Sequence, residues 1–561
     1  MLKKRITLLL SGLMFCSLLF AQGHAAKEKN PQSWYQLDTS YDGISLQKAY
    51  DLIQSEKLKS NRVIVAVIDS GIDTAHEDLK PILWTNPKEI PGNGKDDDHN
   101  GYIDDIHGWN FLGGKDGRNV GKDSYEAARV YYALKPKWDG KTVDSATLSK
   151  AELEEYKTYK RAEETVMGDK DGSEMQMQML KKLQQSLQQA DSALQEALGK
   201  KVYTGKELDT LTPQNADVKK AKARFLGIMK SNDGMDNTNE SLMGELNTYI
   251  SGEIEKQNTK STPPEPYRAE IVKDDESNIN DRDYGNNDLM ASTPFHGTHC
   301  SGIIAAVRNN GKGMDGIADN VRIMMIRAVP DGDEHDKDIA NAIRYAVNNG
   351  AKIISMSFGK PFSPEKQWVD DAIRYADSKG VLLVQAAGND AKNVDITPTY
   401  PSPYFKDNGK RADNVILVGA SGNDNNGGIT ASFSNYGKNT VDVFAPGVGI
   451  YSTIPGGNKY GNASGTSMAA PVVAGIAALV LEHYPHFTPQ QIKQVIEQSV
   501  FVPKEEVNIP GTDDKTTLNE LCKTGGIANA YNALEKAKEL NAEWSKPVKK
   551  IKQKKAVKKR A

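Results

Sequence analysis

The sequence predicts an α/β protein: a mostly parallel sheet between two layers of helices, doubly wound, with an inserted α-helical subdomain. Five short runs are apolar on both faces, as central parallel strands are. They lie at 63–68, 321–329, 351–359, 381–389 and 414–421. Helical stretches separate three of these runs, and such strand–helix–strand alternation implies parallel pairing with right-handed crossovers. The chain between the first two runs is instead charged, rich in Gln and helical in pattern, which indicates an insertion.

We expect the chain to divide into six parts. They are a signal peptide at 1–25, an N-terminal extension at 26–60, a sheet domain in two halves at 61–114 and 286–500, a mainly helical insertion at 115–285, a C-terminal extension at 501–540 and a basic, disordered tail at 541–561. Within the insertion, apolar residues between 179 and 198 recur every three or four positions, which predicts a long helix with one apolar stripe. We interpret the insertion as a helical hairpin packed on itself or on the main domain. A coiled coil that binds a partner would need more heptads.

The first residues predict export of the protein to the periplasm, the cell surface or the medium. A short basic start precedes an apolar run at 6–20 and then small residues, with cleavage expected after Gly23 or Ala25. No later stretch is long and apolar enough to predict a transmembrane helix. Loss of the three basic residues of the signal takes Lys and Arg from 71 to 68 against 74 Asp and Glu, a net charge of −6. That balance excludes the basic signature of a nucleic-acid-binding protein.

The three cysteines predict little covalent cross-linking. Cys16 leaves with the signal peptide, and Phe15 before it is not the small residue that a lipid-anchor site requires. Cys300 and Cys522 could form at most one bridge, so the chain has no disulfide framework. For Cys300 we favour the role of a small, buried apolar residue.

Four polar residues are candidates for acyl-transfer chemistry, although each has a structural alternative. Ser467, in the stretch GTSMAAPVVAG, is either a helix cap or a nucleophile. His296 is a candidate base, or half of a metal-binding pair with His299. Asp69 ends the first strand and could orient the base or simply cap a turn. Asn389 follows a strand and could donate to an oxyanion or serve a turn.

Three motif blocks together remove the ambiguity of the single residues. VIVAVIDSGIDTAHEDL, HGTHCSGIIAA and GTSMAAPVVAGIAAL occur in this order, and the sequence therefore resembles the subtilisin-like serine proteases, or subtilases. The resemblance implies that Ser467 attacks a peptide carbonyl, His296 transfers the proton and Asp69 orients His296. It also implies that Asn389 and the backbone N–H of Ser467 bind the oxyanion. A binding-only protein is disfavoured because all four residues are present, and an esterase because the GxSxG elbow is missing.

The resemblance further implies a substrate pocket with small, uncharged walls. The walls are formed by Ser357, Phe358 and Gly359 on one side and by Ala386, Ala387 and Gly388 on the other. We therefore expect protein or peptide substrates with a broad preference for apolar side chains, and no cofactor for catalysis. Lys360 stands where the family often has another small residue, which makes the pocket rim unusual. Pro471, early in the helix after Ser467, should cost that helix little, because first-turn N–H groups have no intrahelical partner.

The stretch DDDHNGYIDD predicts a structural calcium site. Its ligand candidates stand at the first, third, fifth and ninth positions of a calcium loop: Asp96, Asp98, Asn100 and Asp104. Gly101 occupies the sixth position, but His107 stands at the twelfth in place of Glu, so the loop is not a complete EF-hand. The alternative is an acidic, Asp-capped turn.

Two features depart from compact subtilases. The separation of Asp69 and His296 is 227 positions, and we expect the insertion between them to shape access to the cleft or to dock a partner. The 26–60 extension is too short to be a usual inhibitory pro-domain, so the enzyme either folds unaided or is assisted by the insertion.

Overall fold

The computed structural model describes residues 32–168, 170–231, 235, 238–291, 294–423 and 427–545. The predicted signal peptide and Cys16 lie outside the described residues, as does most of the predicted basic tail.

Among the described residues, the main sheet has seven strands, all parallel, in the order β2-β3-β1-β4-β5-β6-β7. The strands are β1 Val63–Asp69, β2 Gly108–Asn110, β3 Val321–Arg327, β4 Ile353–Met356, β5 Leu382–Ala386, β6 Val415–Ser421 and β7 Val443–Pro446. The five apolar runs are thus confirmed as strands. β2 and β7, which are three and four residues long, were not predicted. An antiparallel hairpin follows, formed by β8 Ile450–Ile454 and β9 Lys459–Ala463, and a short pair is formed by β10 Val507–Asn508 and β11 Lys515–Thr516.

Helices cover both faces of the sheet, which confirms the predicted three-layer fold. The α-helices among the described residues are α1 Leu46–Glu56, α2 Glu126–Trp138, α3 Lys150–Met167, α4 Lys170–Leu198, α5 Gly205–Thr210, α6 Ala216–Ser231, α7 Asn239–Asn258, α8 Tyr267–Ile271, α9 Phe295–Ala305, α10 Asp336–Asn348, α11 Lys366–Ser378, α12 Thr466–His483, α13 Pro489–Gln498 and α14 Ala530–Trp544. In β1, Val65 and Val67 pack with α9 and α12, whereas Ala66 and Ile68 pack with α10 and α11. This alternation follows from the two-residue period of a strand.

Helix α12 is the central helix of the core. By length and composition alone it could cross a membrane, which the sequence prediction did not foresee, but 89% of it is buried inside the protein. Such burial is what a core helix of an α/β protein shows.

The helical insertion packs both on the main domain and on itself. Helices α2 and α3 share an apolar cluster with Phe362 of the main domain. Helices α4, α6 and α7 form a second cluster, in which Leu187 and Leu194 of the predicted stripe are buried. Both packing alternatives considered for the insertion therefore occur together.

The C-terminal region differs from the expected start of a disordered tail at residue 541. Helix α14 continues to Trp544 and packs on the main core through Ala533, Leu534 and Leu540. The reason is that its apolar face ends at Trp544, immediately before the lysine-rich run begins at Lys546.

Candidate active site

The first functional pair joins the end of β1 to the start of α9. Asp69 is the last residue of β1 and is buried, and its Oδ1 lies 2.8 Å from His296 Nδ1. The helix approaches this closely because residue 297 is glycine: a Cβ there would collide with the carbonyl oxygen of Gly71. The Ser70 N–H donates to the same Oδ1 at 2.7 Å and fixes the carboxylate.

The charge of Asp69 controls the protonation of His296. Burial acts to lower the pKa of His296, but the adjacent Asp69 carboxylate outweighs it and raises that pKa well above its ordinary value. His299 is different: burial lowers its pKa to about 4, and its Nε2 lies 3.1 Å from the Gly461 carbonyl oxygen. The two histidines therefore have separate partners, and the structure gives no support to the metal-pair alternative.

Ser467 is the second residue of α12 and is half-buried beside this pair. Its hydroxyl donates to the Ser357 carbonyl oxygen at 2.9 Å. The buried Cys300 thiol bridges the two parts of the site, since its Sγ lies 3.3 Å from the Ser467 carbonyl oxygen and 3.9 Å from His296 Nδ1. Burial raises the pKa of Cys300, which keeps it a neutral thiol, in agreement with the expected apolar role.

Pro471 is the sixth residue of α12, so the prediction that it falls among the partnerless first-turn N–H groups was wrong. A residue at this position would normally donate its N–H to the carbonyl of Ser467, and proline has none. That carbonyl instead accepts hydrogen bonds from Ser357 Oγ at 2.9 Å and from Cys300 Sγ. The proline thus frees the Ser467 carbonyl to be fixed by residues from β4 and α9.

Asn389 faces the N-terminus of α12 with a defined amide orientation. Its Oδ1 accepts hydrogen bonds from Thr466 N at 2.9 Å and from Thr466 Oγ1 at 3.0 Å. This pairing assigns the amide oxygen and leaves Nδ2 as the group that can donate elsewhere. The adjacent Ser467 N–H belongs to the first turn of α12, where backbone N–H groups lack intrahelical acceptors.

Asn435 fixes the turn that carries Asn389, and sequence reasoning missed it. Its Nδ2 donates to the Ala387 carbonyl at 2.8 Å, and its Oδ1 accepts from Asp390 N at 3.1 Å and Lys392 N at 2.9 Å. Gly388 has a φ of +101°, and a Cβ there would collide with Asn435 Nδ2. In the sequence Asn435 stands in a polar turn and carries no signal of this role.

A cavity of about 550 Å³ adjoins Ser467 and Asn389. Five of the six predicted wall residues line it, namely Ser357, Phe358, Gly359, Ala386 and Gly388. Ala387 does not, because neighbouring residues of an extended segment point to opposite sides, and its side chain is buried in another apolar cluster. The cavity is also lined by seven residues of the helical insertion, none of which was predicted: Tyr125, Ala127, Ala128, Thr165, Val166, Lys256 and Thr259.

Lys360, the residue that makes the pocket rim unusual in the sequence, is among the residues that line the cavity. Its side chain is buried, and its Nζ pairs with Glu126 at 2.6 Å and with Asp336 at 2.9 Å. Burial acts to lower the pKa of Lys360, but Glu126 and Asp336 outweigh it and raise that pKa. Removing one partner of a buried ion pair costs about 3–5 kcal/mol, so Lys360 holds the insertion firmly against the pocket.

The acidic loop brings a somewhat different ligand set together than expected. Carboxylate oxygens of Glu89, Asp96 and Asp98 lie within 4.8 Å of one another. Glu89 was not predicted; its Oε1 accepts hydrogen bonds from Asp97 N and Asp98 N. Its Oε2 is buried, and no described residue donates to it.

Asp104 does not join this group in the structure. It accepts hydrogen bonds from Gly92 N and Gly94 N, each at 2.8 Å, because the preceding turn folds back over it. Asn100 lies next to the group, since its backbone N–H donates to Asp96 Oδ1 at 3.0 Å and to Asp98 Oδ1 at 3.2 Å. Its side-chain oxygen accepts from Tyr102 N at 2.8 Å. Of the three predicted carboxylate ligands, the structure therefore places Asp96 and Asp98 at a common point.

Comparison with known proteins agrees with this geometry. The thermophilic serine proteinase of a Bacillus strain is 40% identical over 255 residues, 45% of this chain and 54% of that protein. Thermitase of Thermoactinomyces vulgaris is 41% identical over 241 residues, 43% of this chain and 75% of thermitase. The chain thus spans about half the length of the Bacillus proteinase. Among solved structures, a protease from Pseudoalteromonas arctica is 20% identical with a TM-score of 0.45, covering 90% of this chain and 97% of that one.

A model of the subtilase family matches residues 60–531, which is most of the chain. All three motif blocks, around Asp69, His296 and Ser467, fall inside the matched region. The chain therefore belongs to the subtilase family of subtilisin-like serine proteases.

Proposed function

We propose that the protein is a serine endopeptidase in which Ser467 is the nucleophile, His296 the general base and Asp69 the residue that orients it. The observation that carries the proposal is the 2.8 Å contact of His296 Nδ1 with Asp69, beside a serine at a helix N-terminus. The hydroxyl of Ser467 must leave Ser357 to reach His296. Hydrogen bonds between a catalytic nucleophile and its base commonly shorten only when substrate binds.

In the proposed reaction, Ser467 Oγ attacks the peptide carbonyl and His296 takes its proton. The carbonyl oxygen, now negative, accepts hydrogen bonds from Asn389 Nδ2 and Ser467 N–H. His296 returns the proton to the leaving amine, and water then hydrolyses the acyl-enzyme through the same steps. The positive end of the α12 dipole adds to this stabilisation, because Ser467 is in its first turn.

Substrate preference and location complete the proposal. The small, uncharged residues beside Ser467 support a broad preference for apolar side chains in the pocket that they form. The basic-then-apolar start of the sequence supports export, so the substrates are proteins or peptides met outside the cytoplasm.

A fluorophosphonate probe tests the nucleophile directly. We expect the wild-type protein to form one covalent adduct, which mass spectrometry of a tryptic digest places on Ser467, and to cut denatured casein at internal bonds. The nearby exposed Ser464, whose oxygen accepts from Gly449 N, serves as the internal control and stays unlabelled. An adduct on any other residue, or none on active protein, would contradict the assignment.

We also propose a structural calcium site at Glu89, Asp96 and Asp98. The residues fit a hard cation, since they offer carboxylate oxygens and Glu89 Oε2 is buried without a donor. Bound calcium would fix the loop before β2 and would play no part in catalysis.

Calcium should raise the melting temperature of chelator-treated protein. Saturation at 100 times Kd corresponds to about 2.7 kcal/mol of added stability. Glu89→Gln should remove most of that increase. Asp97→Asn is the matched control from the same loop, because its carboxylate accepts hydrogen bonds from Ile90 N and Asn93 Nδ2. An equal calcium response in wild type and Glu89→Gln would rule the site out.

A further inference from the structure

The helical insertion reaches the substrate cavity itself. The cavity that begins at Ser467 and Asn389 ends against the first turn of α2, the last turn of α3 and the last turn of α7. These three turns together form one surface of lining residues, and Phe358 and Gly359 of the main domain line the same cavity. We call this surface, formed by Tyr125, Ala127, Ala128, Thr165, Val166, Lys256 and Thr259, the insertion wall.

The insertion wall is anchored to the main domain next to the cavity. The segment before α2 pairs with the loop after β3, where Asp123 N donates to the Asp331 carbonyl at 2.9 Å and Asp331 N to the Gly121 carbonyl at 2.8 Å. Glu126 in α2 pairs with the buried Lys360, and its N–H donates to Asp333 at 2.8 Å. The wall is therefore positioned by contacts with the same residues that border the pocket.

Val166 of α3 shares an apolar cluster with Ala127 and Ala128 of α2, and the turns of α2 and α7 are joined by direct contacts. Tyr125 packs on α7, where residue 252 is glycine; a Cβ there would lie 2.5 Å from the tyrosine oxygen. The Lys256 ammonium lies 4.8 Å from the centre of the Tyr125 ring. Tyr132 of α2 donates to the Thr259 carbonyl at 2.9 Å. Such contacts give the wall a defined shape, as a specificity surface requires.

The wall combines buried apolar side chains with polar ones, among them the buried Thr259 and the exposed Lys256. Ala128 and Val166 are buried within an apolar cluster, and the half-buried Tyr125 adds an aromatic ring. Phe358 borders the cavity from the main domain. A bulky apolar side chain would bury its surface between these groups at a gain of about 25 cal/mol per Å².

We propose that the insertion wall is a substrate subsite, which receives a bulky apolar side chain of an extended peptide and is selective through Tyr125, Thr165 and Val166. This subsite extends the cavity that Ser357 and Gly388 also line, and it rests on the proposed endopeptidase function. The insertion is accordingly a specificity element of the enzyme, and larger apolar side chains gain more from it than alanine does.

Filling the subsite in the full-length enzyme tests the proposal. Thr165 is exposed at the end of α3, so Thr165→Trp should fold and occupy the cavity. The substrates are sets of four peptides, one set for each position before the cleaved bond. Within a set, that position is Ala, Leu, Phe or Trp. We expect one position at which Thr165→Trp lowers kcat/KM for the Phe and Trp peptides about tenfold relative to the Ala peptide. Val166→Ala should shift preference at that position toward Trp.

Thr158→Trp is the matched control on the same helix. Thr158 and Thr165 both donate their hydroxyl to the carbonyl four residues earlier, at 2.8 Å, but Thr158 does not line the cavity. It should leave the ranking of the peptides unchanged, and thermal melts should show all variants folded. The same ranking in wild type, Thr165→Trp and Val166→Ala would overturn the subsite. A wild-type protein that neither cuts the peptides nor reacts with a fluorophosphonate would instead overturn the proposed function.

Discussion

Replacing Ser467 with alanine is expected to lower kcat for peptide hydrolysis by roughly 10⁴- to 10⁶-fold. The substitution removes the only atom proposed to bond to substrate, while Asn389 and the α12 N-terminus still stabilise an oxyanion. The residual rate should therefore exceed that of the uncatalysed reaction. Single-turnover assays with a chromogenic peptide measure both the loss of kcat and the residual rate.

The substitution should leave the fold intact, because the Ser467 hydroxyl makes one hydrogen bond, to the Ser357 carbonyl. Ser464→Ala is the matched control: it removes another serine hydroxyl beside the start of α12 and should retain full activity. A Ser467→Ala protein with more than about a tenth of wild-type turnover would show that another residue is the nucleophile, since the general effect of losing a nucleophile is far larger.

The parts of the site that the sequence predicts are those governed by local patterns. A run that is apolar on both faces predicts β1 as a central strand. The residue that ends such a strand lies at the carboxyl edge of the sheet, where active sites form. Asp69 could be placed for that reason. The close approach of α9 to Gly71 likewise depends on a residue visible in the sequence, the glycine at position 297.

Other parts could not be predicted, because they depend on contacts between distant segments. Ala387 was assigned to a wall from the family resemblance, but its side chain points to the opposite side of the segment. Glu89 joins Asp96 and Asp98 only through the fold of the loop between them. Asn435 lies 46 positions after Asn389 and controls it through backbone hydrogen bonds that no local pattern indicates.

The contacts of the insertion with the cavity could not be predicted either, because they also join distant segments of the chain. Its helices were evident from periodicity, but not which of their ends would meet the cavity. Lys360 was the one anomaly noticed in the sequence, and its unusual position is explained by Glu126 of the insertion. The long insertion and the charged residue beside the pocket are therefore connected, because Lys360 forms its ion pair with Glu126 of the insertion.

Asp69→Asn is expected to lower the maximal kcat/KM by roughly 10⁴-fold and to move its pH dependence. The base must be neutral to accept a proton, so kcat/KM rises as pH increases through the pKa of His296. Because Asp69 raises that pKa above the ordinary value of about 6.5, the wild-type midpoint should lie above pH 6.5. Without the carboxylate charge, the pKa of His296 loses the largest of the contributions that raise it, while burial still acts to lower it, so the midpoint should move to lower pH.

The shift of the midpoint separates an electrostatic role of Asp69 from a merely structural one, since a misfolded site would lose activity without moving it. A series of kcat/KM values between pH 5 and 10 on one peptide measures both effects. Asp73→Asn provides the control, because Asp73 also follows β1 but accepts hydrogen bonds from Ala75 N and Gly456 N instead of His296. It should leave the midpoint in place. If the midpoint of Asp69→Asn stays with that of the wild type or rises, Asp69 does not set the charge state of His296, and the proposed triad loses its third member.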